Sequence, residues 1–435
     1  MFSQFLWSLL RLKGAGNCEI RDGQAACCDT RDVPRNHVAN SAGAAGHLAP
    51  ATIHTVTAPP AAQKARLLSL DALRGATVAL MILVNNAGDG AASFAQLRHS
   101  AWNGCTLTDL VFPLFLFLMG VSTAIAFASR RQRGVPKSAI AWQVLQRAAV
   151  MVLIGLVLNA LPSFHLYDLR YCGVMQRIGI CYAIAGILYV YGGMGSVAGM
   201  AVLGVIGYWY LLAHVAVPGF GMPGQQVPVV DPVGNLASYV DRLVIPTVHR
   251  YHRSFYDPEG LLSSIAAVAT TCTGIVVGGW IRQKDVSAGR KLGSLSIAAV
   301  LLIAGAVVWS QTLPLNKRLW TSSYVLFTAG LSMALLALFV WAIDEARVVG
   351  ERLLWPLHAF GMNALTAYVL SEVLAIGISS VTVHGGVSLQ HWTYMLLPSV
   401  LGPEPMRSLL WSCLFVLVCF VPLAWMRRRS LIVKL

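Results

Sequence analysis

The chain has 435 residues, of which 56% are hydrophobic and only 11% are charged, and its mean hydropathy is +0.65. Soluble domains carry about 25% charged residues, so the composition excludes an ordinary soluble protein and indicates an integral membrane protein. The formal net charge is +14, but the basic residues lie around apolar runs and form no patch on a soluble face of the kind that binds nucleic acid.

The first 65 residues differ from the rest of the chain. Residues 1–65 are rich in Ala, Gly, Asp, Asn and Arg and lead into APPAAQKAR. The apolar start MFSQFLWSLL has no basic stretch ahead of it and is too short for a signal peptide with its cleavage site. We expect a disordered cytoplasmic extension over residues 1–65, followed by a transmembrane domain over residues 66–430.

Apolar runs close to the length that crosses a bilayer, about 20 residues, recur along the remainder of the chain. They predict ten transmembrane helices, at about 72–88, 107–128, 139–161, 174–191, 196–217, 261–281, 292–311, 321–342, 356–378 and 407–426. Residues 387–402 form a weaker run that suits a re-entrant or interfacial segment. The predicted fold class is an all-α polytopic membrane protein.

Basic residues are distributed unequally between the two sides of these predicted helices. One side carries three groups of four: Arg130, Arg131, Arg133 and Lys137; Arg282, Lys284, Arg290 and Lys291; and Arg427, Arg428, Arg429 and Lys434. The loops on the opposite side mix basic and acidic residues. Because cytoplasmic loops carry the excess of Lys and Arg, we predict that both termini are cytoplasmic. This orientation places His99 at the outer mouth of the first helical hairpin.

Polar residues stand at both ends of the first predicted helix. Asp71 suits the positive end of the helix dipole. Arg74 either pairs with Asp71 while its side chain extends to the surface, or clamps the phosphate of a donor at the cytoplasmic side. The helix ends in VNNAG, residues 84–88. The amide of Asn85 can help to end the helix, or can donate a hydrogen bond to a carbonyl oxygen that gains negative charge.

The stretch LRHSAWNGCTLTDLVFPLFLFLMG, residues 97–120, places polar side chains where an apolar run begins. Beside lipid, an unsatisfied polar group costs several kcal/mol. Trp102 suits the membrane interface, and Asp109 can cap the incoming helix. A carboxylate within reach of an imidazole is also the pair that acyl transfer uses, since the acid orients the imidazole and the imidazole accepts a proton or the acyl group. His99 and Asp109 are therefore candidate catalytic residues; the alternative is a solvated histidine beside a capped helix.

Further polar residues occur inside or beside later spans, where ionisable side chains usually face a bundle interior or an aqueous cavity. Arg147 lies in the third predicted span, Arg177 opens the fourth and Asn363 lies in the ninth. Such residues join helices through hydrogen bonds or line a site; Arg177 either pairs with Asp168 or lines a sugar site. The nine cysteines show no spacing typical of a metal site, so no metal is expected.

Six blocks of the chain, in this order, resemble the heparan-α-glucosaminide N-acetyltransferase family over about residues 64–428. They are RLLSLDALRGATVALMILVNNAG, HSAWNGCTLTDLVFPLFLFLMGVS, GVMQRIGICY, YDPEGLLSSIAAVATTCTGIVVG, NKRLWTSSYVLFTAG and PLHAFGMNALTAYVLSE. The resemblance implies a multi-pass acyltransferase of the bacterial inner membrane that moves an acetyl group from cytoplasmic acetyl-CoA to a glucosamine-type amino sugar on the periplasmic side. It assigns the active histidine to His99 and brings Asn85 and Asp109 to the same centre.

Three groups of residues are expected to form this site: catalytic His99, Asp109 and Asn85; donor-binding Arg74 and Arg147; and sugar-binding Trp102, Asn103, Arg177 and Asn363. The expected partners are an amino sugar or glycan and the lipid bilayer, without nucleic acid, and the family resemblance is compatible with a homodimer. His99 either carries the acetyl group itself or deprotonates the amine in a ternary complex. The sequence does not decide between these two mechanisms.

Two other functions fit parts of the sequence. Membrane enzymes that acylate surface sugars on oxygen also begin with an R-x-x-x-L-D-x-x-R-G run, but the HSAWNG block argues against them. An amino-sugar transporter would suit ten spans with few charges. Inverted repeats are typical of many transporters, and the sequence shows no internal repeat.

Overall fold

A computed structural model describes residues 67–162 and 164–433, apart from the side chain of His384. The predicted N-terminal extension, residues 1–65, lies outside the described residues. The twelve α-helices in the described part are α1 Leu68–Asn85, α2 Leu107–Gln132, α3 Lys137–Ala160, α4 Val174–His214, α5 Leu236–Val244, α6 Ser264–Ile281, α7 Ala288–Trp309, α8 Ser322–Phe339, α9 Glu351–Met362, α10 Ala364–Ser380, α11 Leu389–Met395 and α12 Glu404–Arg428.

Short elements connect these helices. A π-helical segment, Val340–Glu345, extends α8. Strands β1 Thr382–Val383 and β2 Val387–Ser388 pair antiparallel. The 3-10 helices are Ala95–Leu97, Leu166–Asp168, Thr247–His249, Tyr251–Arg253, His384–Gly386 and Ser399–Leu401. Residues 387–402, predicted as a re-entrant or interfacial run, therefore form only short elements.

Eight of the described helices are long and apolar enough to cross a membrane, and the pair α9 and α10, bent by 78°, would make a ninth span. Helix α4 contains 41 residues, which at 1.5 Å per residue is about 60 Å, or twice the hydrocarbon core of a bilayer. Its backbone leaves the helical region at Gly193, where φ is 71°, and the predicted spans 174–191 and 196–217 lie on either side of this residue. The all-α, multi-pass membrane fold is confirmed; the count of ten and the cytoplasmic termini stay predictions.

Helix α2 lies at the centre of the bundle. Of its most apolar window, 72% is buried inside the protein, whereas the corresponding value for α7 is 17%. Helix α2 packs against α6 and α1, and α6 in turn packs against α4. An apolar helix that the protein itself covers is a core element, so α2 is the fixed element on which a site can be built.

Two pairs of facing glycines bring helix backbones into direct contact. A Cβ atom on Gly120 of α2 would lie 2.1 Å from the carbonyl oxygen of Thr271, and one on Gly274 of α6 would lie 2.1 Å from that of Phe117. Gly75 of α1 and Gly361 of α9 face each other in the same way. Small residues allow such close approach at membrane helix interfaces. These crossings fix α2 against α6 and α1 against α9.

Candidate active site

The two carboxylate oxygens of Asp109 have different partners at the start of α2. Its side chain is 1% exposed. The oxygen Oδ2 accepts hydrogen bonds from the backbone N–H of Thr106 at 3.1 Å, from the hydroxyl of Thr106 at 3.0 Å and from the N–H of Ser100 at 3.1 Å. The oxygen Oδ1 remains for His99. The helix-capping interpretation and the catalytic interpretation of Asp109 are therefore compatible.

His99 lies directly against this carboxylate. Its Nδ1 is 2.7 Å from Asp109 Oδ1, and its side chain is 46% exposed. An imidazole that donates its Nδ1–H to a carboxylate keeps a lone pair on Nε2. The pairing predicted from the sequence is present, and Nε2 is the nitrogen that can accept a proton or an acyl group.

The histidine cavity, as we name it, has a volume of about 200 Å³ and opens beside this pair. Asn85, which is exposed at the end of α1, lines it together with His99 and Asp109. The three predicted catalytic residues therefore share one cavity. Other loops add four charged side chains to its lining that the sequence reasoning did not select: Arg170, Glu259, Lys317 and Arg318.

Arg170 ties two loops together at the edge of the histidine cavity. Its guanidinium donates to Asp257 Oδ1 at 2.7 Å and to Glu259 Oε2 at 2.6 Å. Burial disfavours the charged form of Arg170, but the two carboxylates outweigh it and raise the pKa of Arg170 above its usual value. The guanidinium therefore stays charged and holds Glu259 in place.

Lys317 lies against both members of the pair. Its Nζ is 3.1 Å from Nδ1 and 3.3 Å from Nε2 of His99, and 3.9 Å from Asp109 Oδ1. Burial lowers the pKa of Lys317, and Asp109 and Glu259 oppose that change. A sequence separation of 218 residues from His99 left no local pattern that could have revealed this contact.

Three of the predicted sugar-binding residues contact loop residues and do not line the histidine cavity. Trp102 Nε1 donates to the carbonyl of Val230 at 2.7 Å, and Asn103 Oδ1 accepts from Asn316 Nδ2 at 3.1 Å. Arg177 is 1% exposed and donates to the carbonyl of Gly260 at 3.0 Å. The contact of Asn103 with Asn316, the neighbour of Lys317, fixes that loop against the HSAWNG block.

The arginine cavity, a second cavity of about 290 Å³, contains both predicted donor-binding residues, Arg74 and Arg147. Arg74 pairs with Asp71 at 2.7 Å, as the simpler interpretation predicted, and also donates to the carbonyl of Gly361 at 2.7 Å and to Ser122 Oγ at 3.3 Å. These contacts hold the Arg74 guanidinium at the wall of the arginine cavity.

Asn363 lies in the arginine cavity, away from His99. It stands at the 78° break between α9 and α10. Its Nδ2 donates to the carbonyl of Leu431 at 3.1 Å, and its Oδ1 accepts from the N–H of Val433 at 2.9 Å. Val433 also lines the arginine cavity, so Asn363 fastens the C-terminal segment beside Arg74 and does not join the predicted sugar-binding group.

The two cavities follow the same helices. On α2, Phe112 lines the histidine cavity and Phe115 lines the arginine cavity; on α4, Val174 lines the former and Tyr182 the latter. Within residues 67–162 and 164–433, no group of three or more His, Cys, Asp or Glu side chains could hold a metal ion. The arrangement therefore provides an imidazole–carboxylate pair at one end of α2 and two guanidinium groups nearer the other.

Comparisons with known proteins show what the sequence is similar to. Residues 66–222 match the family model described as heparan-alpha-glucosaminide N-acetyltransferase, catalytic. The human heparan-alpha-glucosaminide N-acetyltransferase is 28% identical over 379 residues, which cover 75% of this chain and 55% of the human protein. The mouse protein of the same name is 28% identical over 361 residues, which cover 71% of this chain and 54% of the mouse protein.

The chain thus spans about half the length of the curated relatives it matches. The segment that matches the family model contains His99, Asp109, Asn85, Arg74 and Arg147, and so includes the residues that line both cavities at α1, α2 and α3. The resemblance to the heparan-α-glucosaminide N-acetyltransferase family that six sequence blocks predicted is confirmed, by the family model over residues 66–222 and by the two relatives.

Proposed function

We propose that the protein is an acyltransferase that moves an acetyl group from acetyl-CoA, bound in the arginine cavity, to the amine of a glucosamine-type sugar, bound in the histidine cavity. The observation that carries this proposal is the His99–Asp109 contact of 2.7 Å inside a cavity. The similarity to human and mouse proteins named heparan-alpha-glucosaminide N-acetyltransferase supports it. We further propose that the arginine cavity faces the cytoplasm of a bacterial inner membrane, since Arg130 and Arg131 lie in the last turn of α2 and Arg133 follows it.

The donor is held through its phosphates. Guanidinium groups bind phosphate oxygens in a two-pronged geometry that an ammonium group cannot reproduce. Arg147 supplies such a group to the arginine cavity, and Arg74, whose guanidinium is held by Asp71 and Gly361, adds a second positive charge. Arg130 lies close enough to Arg147 to interact with it electrostatically and adds a third positive charge. The linear arm of CoA then runs along α2 past Phe115 and Phe112, so that the thioester reaches His99.

Asp109 and His99 act together on the thioester or on the amine. Asp109 holds the Nδ1–H of His99, which leaves the Nε2 lone pair directed to the reactants. In the direct route the sugar nitrogen attacks the thioester carbonyl, Nε2 accepts a proton from that nitrogen, and the C–S bond breaks to release the thiolate, which is then protonated. In the two-step route Nε2 itself bonds to the acetyl carbon and the thiolate leaves; the sugar nitrogen then takes the acetyl group from the imidazole, and the freed Nε2 accepts the proton that this nitrogen loses and passes it to the thiolate. Both routes place negative charge on the carbonyl oxygen, to which the Asn85 amide donates.

Purified protein with radiolabelled acetyl-CoA and a panel of sugars tests the function. We expect product with glucosamine, none with glucose, and none with glucosamine for His99→Ala, while His99→Ala still binds CoA. His165→Ala is the matched control, because His165 is an exposed loop histidine outside both cavities, and it should keep full turnover. Equal acetylation of glucose would favour the sugar O-acyltransferase alternative, and normal turnover by His99→Ala would reject the proposed mechanism.

A further inference from the structure

Lys317 approaches the imidazole of His99 from one side of the ring. Its Nζ is nearly equidistant from the two ring nitrogens, at 3.1 Å from Nδ1 and 3.3 Å from Nε2. In the plane of the ring, an ammonium at these distances would collide with the carbon between the nitrogens, so it lies over the ring face. The ammonium therefore leaves the in-plane lone pair of Nε2 available.

The charges around His99 come from three parts of the chain. Asp109 of α2 contacts the ring directly, and Lys317, in the loop before α8, lies over it. Arg170 also lines the cavity, but its charge is matched by Asp257 and Glu259. Arg318, the remaining cation of the lining, hydrogen-bonds the hydroxyl of Tyr256. Asp109 is thus one carboxylate shared by two bases, His99 and Lys317.

The proton distribution in such a group depends on which base is charged. A carboxylate in contact with an imidazole favours the imidazolium form, whereas a cation within about 4–6 Å disfavours it. With Asp109 alone, His99 would tend to hold a proton on both nitrogens, and Nε2 would then have no lone pair. With Lys317 charged, the carboxylate is already balanced, and a second positive charge on the ring would be repelled.

We propose that Lys317 is a positioning residue that keeps His99 uncharged by supplying the positive charge that balances Asp109. Its importance for turnover rests on the proposed acetyl transfer, but the charge state of His99 does not. Hydrogen bonds of the neighbouring residues fix the loop that contains Lys317. Asn316 is fully buried, donates to Asn103 and accepts from the N–H of Leu319 at 2.9 Å, while Gly104 N–H donates to the carbonyl of Leu315 at 2.7 Å.

Chemical modification measures the charge state of His99 without any turnover. Diethyl pyrocarbonate reacts with neutral imidazole and not with imidazolium, and His99 is 46% exposed. The rate of modification of the peptide that contains His99 is followed by mass spectrometry between about pH 5 and pH 9. In Lys317→Met the pH at which the modification rate is half-maximal should rise by about 1–3 units relative to the chain without substitutions. In Lys317→Arg, which keeps the charge, this midpoint should rise by much less.

Two further variants test whether the shift depends on the charge of Lys317. Lys317→Gln retains a polar side chain of similar reach and should raise the midpoint as Lys317→Met does. Arg318→Met removes a cation from the same cavity without uncovering the imidazole, so its shift should be smaller. In enzyme assays the acidic limb of kcat/KM should move by the same number of pH units, with the KM for acetyl-CoA unchanged. A midpoint that stays constant or falls in both Lys317→Met and Lys317→Gln would overturn the proposal, whether or not the protein proves to be an acetyltransferase.

Discussion

Phe112 and Phe115 lie one turn apart on α2 and line different cavities, the first the histidine cavity and the second the arginine cavity. Three residues of α-helix correspond to about 5 Å along the axis. The linings of the two cavities therefore come within about one helical turn of each other, at an aromatic wall formed by these two side chains. Under the proposed function, only the acyl end of the donor needs to pass this wall, while its charged end stays with Arg74 and Arg147.

His99 and Asp109 should behave as one unit in kinetics. We expect His99→Ala to abolish detectable turnover, Asp109→Asn to cost less, and the double variant to be hardly worse than His99→Ala, because groups that act together are not additive. Asn85→Ala, which removes one donor to the carbonyl oxygen, should lower the rate by roughly 10²–10³. The measurement is turnover of purified variants at saturating acetyl-CoA and amino sugar.

The folding of Asp109→Asn needs its own check, because Asp109 also caps α2. Loss of a helix cap costs about 0.5–2 kcal/mol of stability, which thermal unfolding would reveal. Additive losses in the double variant, in correctly folded protein, would contradict a single catalytic unit.

Arg74 and Arg147 should determine the affinity for CoA. A hydrogen bond to a charged group contributes about 1.5–3 kcal/mol, so Arg74→Ala and Arg147→Ala should each weaken CoA binding by roughly 10- to 100-fold. Arg74→Lys keeps the charge but loses the fork geometry with which Arg74 contacts Asp71 and Gly361, and should be intermediate. Calorimetric titration with CoA measures these effects. Arg133→Ala, an exposed arginine at the end of α2 outside the arginine cavity, is the matched control, and an equal loss there would reduce the role of Arg74 to general charge.

Asn363 should act on the donor and not on the sugar. Asn363→Ala removes both hydrogen bonds to the segment that contains Leu431 and Val433, so that one wall of the arginine cavity loses its attachment. We expect a higher KM for acetyl-CoA and an unchanged KM for the amino sugar. Steady-state kinetics with each substrate varied in turn distinguishes the two. A change confined to the sugar KM would restore the role first predicted for Asn363.

The glycine crossing between α2 and α6 should be intolerant of a single methyl group. Gly120→Ala places a Cβ 2.1 Å from the carbonyl oxygen of Thr271, which forces the helices apart; overpacking of this kind costs about 1–3 kcal/mol. Gly305→Ala makes the same chemical change in α7, where no atom lies within 4 Å of the new Cβ. Thermal unfolding should show a lower midpoint for Gly120→Ala and an equal or higher one for Gly305→Ala, since alanine is the better helix former.

Asp241 should make stability fall as the pH rises. Burial of this side chain, which lies in α5, raises the pKa of Asp241 from 3.8 to about 6. Between these two pKa values the folded state binds more protons than the unfolded state. The contribution of Asp241 to the free energy of unfolding is therefore fully present below about pH 4 and is lost as the pH rises through 6. The Asp241→Asn variant cannot ionise at this position. Between pH 4 and pH 7 its free energy of unfolding should therefore rise by on the order of 3 kcal/mol relative to that of the chain with Asp241. Unfolding midpoints that differ by a constant amount over this range would contradict the shift.

The accuracy of the sequence predictions follows the distance over which each interaction acts. The apolar runs and the His99–Asp109 pair are local features, the latter only ten residues apart, and both appear in the structure. Lys317 was missed because its contact spans 218 residues. Trp102 and Arg177 were assigned to the sugar because rings and guanidinium groups suit a carbohydrate as well as they suit loop packing, and only the fold reveals which contact they make.

Helix α4 shows a second limit of local patterns. The two predicted spans 174–191 and 196–217 are separated by Gly193, which has a φ of 71° but no intervening loop. Hydropathy detects the drop in apolar character at such a point but contains no information about backbone direction, because direction depends on what each half packs against. The spans were therefore predictable, whereas the manner of their junction was not.

The two oxygens of Asp109 have an evolutionary consequence. One oxygen closes the first turn of α2 and the other contacts His99, so under the proposed function a single side chain serves both folding and chemistry. Catalytic residues commonly reduce stability, and selection then balances the two properties. At Asp109 the two demands coincide, since a substitution that weakens the imidazole contact also loosens the most buried helix. A lineage that lost the need for the reaction would still retain this carboxylate for as long as it retained the fold.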